Sequence, residues 1–142
     1  MTSMKYTEQL IDAWWVLLDT ASTVTIFCNA VFLKGIRKAK KPTVIHTTGG
    51  RLVATLEGWL PFLQKWVAYH PECLGNILSF DHVLDVHHVS LNSRQSRSFI
   101  VHFLRNRKGR TVKKVHFRPS GTGLFVFDAN ADLKECFQRF PE

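Results

Sequence analysis

The chain has 142 residues, a length that suits one domain with a real core. Hydrophobic residues make up 45% of it, which excludes a disordered chain, and the longest apolar run, Ala13 to Leu18, is too short to span a bilayer. The net charge of +8 favours nucleic acid or acidic proteins as partners.

The N-terminal "MTSMKYTEQL" lacks the basic-then-apolar layout of a secretory signal, so an intracellular, cytoplasmic protein is expected. "WVLLD" and "STVTIFC" follow. Both are rich in β-branched and aromatic residues and read as strands. "NAVFLKGIRKAKK" suits a turn or short helix that leads into a basic loop. "TVIHTTGGRLVATLEGWL" reads as two short strands around Gly49-Gly50, since paired glycines accept the positive φ of a hairpin turn. "QKWVAYH" is a further strand, stopped by Pro71.

Ser79 is a natural N-cap, so a short helix is predicted over Phe80 to Val86, with "HVSLN" extended after it. Residues Phe99 to Leu104 and the alternating Val112, Lys114 and His116 form the most legible hairpin, turning at Lys108-Gly109. "GTGLFVFD" supplies one more strand. Asn130 then caps a predicted C-terminal helix with Leu133, Cys136, Phe137 and Phe140 at helical spacing. The expected fold class is all-β with short helices: an N-terminal extension over 1–13, the β domain over 14–128, and a helical tail over 129–142.

Three cysteines, Cys28, Cys73 and Cys136, are widely spaced and odd in number, so reduced thiols are expected rather than a disulfide framework. The seven histidines show no metal-ligand spacing, and neither a metal nor a cofactor is expected. The charge gathers in Arg37, Lys38, Lys40 and Lys41, and again in Arg105, Arg107, Lys108, Arg110, Lys113 and Lys114. The plainer reading makes both runs solvated turns. The other makes them a nucleic-acid contact, although no aromatic residues interleave with them as stacking platforms.

One feature of "WWVLLDTASTVTIF" asks for explanation: a single carboxylate, Asp19, inside apolar strand sequence. Such a group must be hydrogen-bonded, shared or exposed at a turn. The plainer account is that Asp19 ends a strand and accepts from the amides of its own turn. The other is catalytic. Apolar residues, then Asp-Thr, a small residue and a small hydroxylated one, form the active-site turn of aspartic proteases. There, two carboxylates about 3 Å apart share one proton, one acting as base toward water and the other as acid toward the scissile carbonyl.

The order of blocks beyond this turn resembles the retropepsin-like proteases of copia-type (Pseudoviridae) retrotransposon polyproteins, most of all those of diatoms and other protists. "WVLLDTAST" stands where that family has a Trp-led strand running into Asp-Ser-Gly. "VIHTTGGRLVATLEGWLP" matches its glycine-bearing segment. "WVAYHPECLGNILSF" matches its block ending in Asn-Leu-Leu-Ser, and "GLFVFD" its closing Gly-Leu-Tyr string. The resemblance covers Trp14 to Asp128 and implies a closed β-barrel of the acid-protease type with a flap hairpin. Because the chain has one Asp-Thr-Ala turn, the second carboxylate comes from a second copy, in a homodimer.

Carried over, Asp19 is the catalytic acid/base, Thr20 the cross-loop donor, and Ala21 and Ser22 complete the turn. Ala21 stands where the family usually has Gly. Thr47, Thr48, Gly49, Gly50 and Arg51 correspond to the substrate-binding flap tip. Ile77, Leu78 and Ser79 support the catalytic loop from behind, with Ser79 where Gly is more usual. The implied activity is an aspartic endopeptidase that processes a polyprotein, in the cytoplasm or in a virus-like particle. The alternative is a catalytically inactive domain of the same fold that serves as a dimerisation or basic nucleic-acid-binding module.

Overall fold

Val16, Leu17 and Leu18 are buried in succession, so the first strand, β1 (Trp15–Asp19), is covered on both faces. A continuous apolar run is what such a central strand requires. The computed structural model describes residues 11–47, 49–104 and 111–129. Beyond β1 these form β2 (Ile26–Phe27), a 3-10 turn (Ala30–Phe32), β3 (Lys34–Thr47), β4 (Gly50–Leu60), β5 (Lys65–Tyr69), β6 (Asn76–Ser79), α1 (Phe80–Val86), β7 (His88–Leu91), β8 (Phe99–Leu104), β9 (Thr111–Pro119) and β10 (Phe125–Asp128).

The strands hydrogen-bond in the order β3-β4-β5-β2-β6-β1-β10-β9-β8-β7. The protein is therefore mostly β, as its β-branched and aromatic segments predict. The expected closed barrel is not formed: among the described residues the sheet is open, with β3 and β7 at its edges. Part of the reason lies on β3, where Lys34, Arg37, Lys38, Lys40 and Lys41 are all exposed. Lysines on an edge strand oppose pairing with another strand.

The main core gathers Val16 and Leu18 of β1, Phe27, Phe32, Leu60, Phe62, Leu78, Val83, Val101, Phe103, Val115 and Phe117. Part of it is an aromatic cluster. The Phe62 and Phe103 rings meet edge to face at 4.7 Å, and His87 stacks on Phe103 at 5.0 Å with 15° between planes. Full burial of each such phenyl ring contributes about 1.5–3 kcal/mol.

Three local expectations need correction. "STVTIFC" is strand only at Ile26–Phe27, because Ser22 and Thr25 use their hydroxyls to anchor a loop. The supposed basic loop at Arg37 to Lys41 is part of β3, a 14-residue strand with a register shift between Lys38 and Thr43. The two short strands around Gly49-Gly50 are long ones, of 14 and 11 residues, closed by the pair Thr47 and Gly50. Gly50 has φ +131°, so the tip requires glycine. The helix after Ser79 forms as predicted, whereas the Lys108-Gly109 turn and the C-terminal helix lie outside the described residues.

Candidate active site

Asp19 is the last residue of β1, and the chain turns at Thr20-Ala21 directly after it. Its Oδ1 accepts the Ala21 amide at 2.9 Å, which meets the plainer expectation of a strand-ending carboxylate bonded to its own turn. Oδ2 has no hydrogen bond among the described residues. Thr20 and Ala21 are exposed, and Ala21 does not have a positive φ, so its methyl group costs no backbone strain within the chain. Ser22 closes the turn: its hydroxyl donates to the Val24 carbonyl at 2.6 Å and accepts the Val24 amide at 3.2 Å.

Behind this turn lies β6. It runs parallel to β1 with Ser79 opposite Asp19, and antiparallel to β2 with Ile77 opposite Ile26. Both flanks of the Asp19 turn are thus hydrogen-bonded to the same four-residue strand. The fully buried Ser79 works in three directions. Its hydroxyl donates to the Ser22 carbonyl at 2.9 Å and accepts the His82 amide at 3.5 Å as the helix N-cap, while its own amide donates to Thr25 Oγ1 at 3.0 Å. Ser79 therefore ties the turn after Asp19 to β6 and α1. Leu78 lies in the main core, and Ile77 packs against a second cluster of Ile26, Ala54 and Ala68.

Sequence reading missed Asn76, the most heavily bonded side chain in the region. It is fully buried. Its Oδ1 accepts the amides of Cys28 and Asn29, both at 3.0 Å, and its Nδ2 donates to the carbonyls of Ala13 at 2.8 Å and Trp15 at 2.9 Å. An asparagine inside an apolar strand segment was the available signal, since Asn is depleted in strands unless its side chain has such work.

The flap-tip candidates lie at the far end of the β3–β4 hairpin, where Gly49, Gly50 and Arg51 are exposed. Thr47 pairs with Gly50, and Thr48 lies outside the described residues. A cleft of about 220 Å³ lies next along the chain from the Asp19–Ser22 turn, lined by Thr23, Val24, Thr25, Thr43 of β3, Lys65 to Ala68 of β5, and His82 of α1. His82 Nδ1 shares a hydrogen bond of 2.8 Å with Thr25 Oγ1. Burial holds the His82 pKa below its ordinary value and Lys65 lowers it further, against the opposing pull of Asp81 and Asp85.

Deeper in, His87 Nε2 lies 2.6 Å from the Phe62 carbonyl, and burial keeps its pKa low, so the ring is a neutral donor there. Cys28 and Cys73 are free and half-buried, with burial raising both thiol pKa values. No group of three His, Cys, Asp or Glu side chains among the described residues is arranged to hold a metal. No described helix is long and apolar enough to cross a membrane.

Of the basic residues, Arg37, Lys38, Lys40, Lys41 and Lys114 are exposed. Arg105, Arg107, Lys108 and Arg110 lie outside the described residues, while Lys113 belongs to β9. Arg37 is paired with Glu57 and its guanidinium lies 3.6 Å from the centroid of Trp66. Trp66 in turn meets Trp59 edge to face at 5.8 Å. The fold therefore sets aromatic rings beside the first basic run, although none interleaves with it in sequence. Comparison with family models, curated proteins and solved structures finds no match.

Proposed function

We propose that the chain is a retropepsin-like aspartic endopeptidase of the copia type, active as a homodimer on a polyprotein. The observation that carries this reading is the clasp around β6. One strand pairs with both flanks of the Asp19 turn and holds the turn through Ser79. A shared-proton carboxylate pair needs a turn held in this way, because two acids about 3 Å apart lose their function if either drifts. Within one chain, Asp19 Oδ1 is engaged by the Ala21 amide. Oδ2 is left for a water and for the twin carboxylate.

In the dimer, the ionised Asp19 takes a proton from the attacking water while its protonated twin donates to the carbonyl oxygen. The β3–β4 hairpin covers the peptide backbone, and the exposed Thr20 and Ala21 meet their twins across the two-fold axis. Because the pair must hold one proton between two groups, activity favours mildly acidic pH. Asp19→Asn is expected to reduce cleavage of a peptide or polyprotein substrate below detection while sedimentation still reports a folded dimer. Unchanged cleavage by that variant sinks the proposal.

A second reading draws on a separate observation, the exposed cations of β3 with Arg37 seated on Trp66. It makes the domain a catalytically inactive module that binds nucleic acid. Salt-dependent RNA binding, with no peptide cleavage and no effect of a statine-type inhibitor, distinguishes it from the first.

A further inference from the structure

The cleft beside the Asp19 turn is chemically one-sided. Its charged or chargeable lining groups are Lys65 and His82, and no acidic side chain lines it. Thr23, Thr25 and Thr43 add hydroxyls, and Val24, Trp66, Val67 and Ala68 form apolar walls. The Thr25 hydroxyl is engaged by Ser79 and His82, whereas those of Thr23 and Thr43 have no hydrogen bond among the described residues.

Lys65 likewise has no carboxylate partner among the described residues, while the neighbouring cation Arg37 is taken up by Glu57. Asp81 and Asp85 act on His82 from α1 but do not line the cleft. The volume of about 220 Å³ accommodates one side chain. Thr23 to Thr25 continue directly from the Asp19–Ser22 turn, and Thr43 belongs to the hairpin arm, so a peptide extended along the turn passes this opening.

We propose that this cleft is a specificity pocket for a carboxylate side chain, Asp or Glu, of the peptide held at the Asp19 turn. The carboxylate pairs with the Lys65 ammonium and accepts from the Thr23 and Thr43 hydroxyls, and its methylenes lie against Trp66. The proposal rests on the protease reading given above and adds a substrate preference to it. Lys65 is a specificity residue here, outside the catalytic pair.

The test is cleavage of pooled octapeptides, each position randomised, by the full chain and by Lys65→Glu. The wild type is expected to enrich Asp or Glu at one fixed position from the cut. Lys65→Glu is expected to lower kcat/KM for such peptides by about tenfold or more and to shift the preference at that position from Asp or Glu to Lys. A wild type without acidic preference, or a preference unchanged in Lys65→Glu, overturns the pocket.

If the wild type cuts no peptide, the protease reading fails, and the pocket is then judged by binding. Labelled octapeptide pools carry Glu or Gln at each position in turn, and fluorescence anisotropy reads their affinity. Tighter binding of one Glu pool than of its Gln counterpart, lost in Lys65→Glu, upholds the carboxylate pocket. Equal binding of both pools by the wild type overturns it.

Discussion

The surroundings of β6 and the β3–β4 hairpin belong to one sheet, yet they are built on opposite terms. Around β6, Asn76, Leu78 and Ser79 are fully buried, and no buried side-chain nitrogen or oxygen among the described residues lacks a partner. On the hairpin, Ile36, Val44, Val53 and Leu56 are each about 40% exposed, alongside a row of cations. A buried hydrogen-bonded centre is costly to disturb because each lost partner strands another polar group without water. An exposed apolar arm has little to lose on its own and gains from whatever covers it. The first region holds a carboxylate in position; the second is left open to contact.

The largest test of this contrast is Asn76→Ala, which strands two amides and two carbonyls. It is expected to cost about 3–5 kcal/mol in thermal or denaturant unfolding, whereas Val53→Thr on the hairpin should stay within about 0.5 kcal/mol. Comparable losses at both positions would end the distinction. Ser79→Ala removes the bond to the Ser22 carbonyl and the helix cap, at about 1–2 kcal/mol. Under the protease reading its loss of kcat should exceed what the lowered stability explains, since the Asp19 turn loosens before the sheet does.

Acid titration probes the centre from another side. Burial lowers the folded pKa of His87 below its unfolded value of about 6.5, so the unfolded chain binds the extra proton first. Its contribution to stability is complete above about pH 6.5, declines as pH falls from there to the folded pKa, and levels off below it. His82, His102 and His116 shift in the same direction, burial being the first cause in each. The melting temperature should therefore fall on acidification below that point, and His87→Gln, which keeps a donor for the Phe62 carbonyl, should flatten the fall. A profile unchanged by His87→Gln would remove His87 from this account.

The smallest effect belongs to the hairpin. Arg37→Ala breaks the exposed pair with Glu57 and the contact with Trp66, and is expected to cost under about 1 kcal/mol. If nucleic acid binds this edge, the same change weakens RNA binding and reduces its salt dependence, a readout that stability alone does not supply.

What the sequence by itself determined was local. An unbroken apolar run marked β1, a serine before an apolar stretch marked the cap of α1, and a glycine pair marked the hairpin turn, because burial on two faces, capping and positive φ act within a few residues. The order of the downstream blocks also drew attention to the Asp19 turn and to Ile77-Leu78-Ser79. Tertiary structure decided the rest. Ser79 bonds Ser22 across 57 positions and Asn76 bonds Ala13 across 63, through strand pairings that no local propensity encodes. The basic segment at Arg37 to Lys41 became an edge strand, and the supposed strand at Ser22 to Thr25 became a tethered loop, since hydroxyls there found partners on β6 and α1. Lys65, Thr43 and His82 meet at one cleft for the same reason: a sheet's register, set over the whole chain, chooses which distant side chains become neighbours.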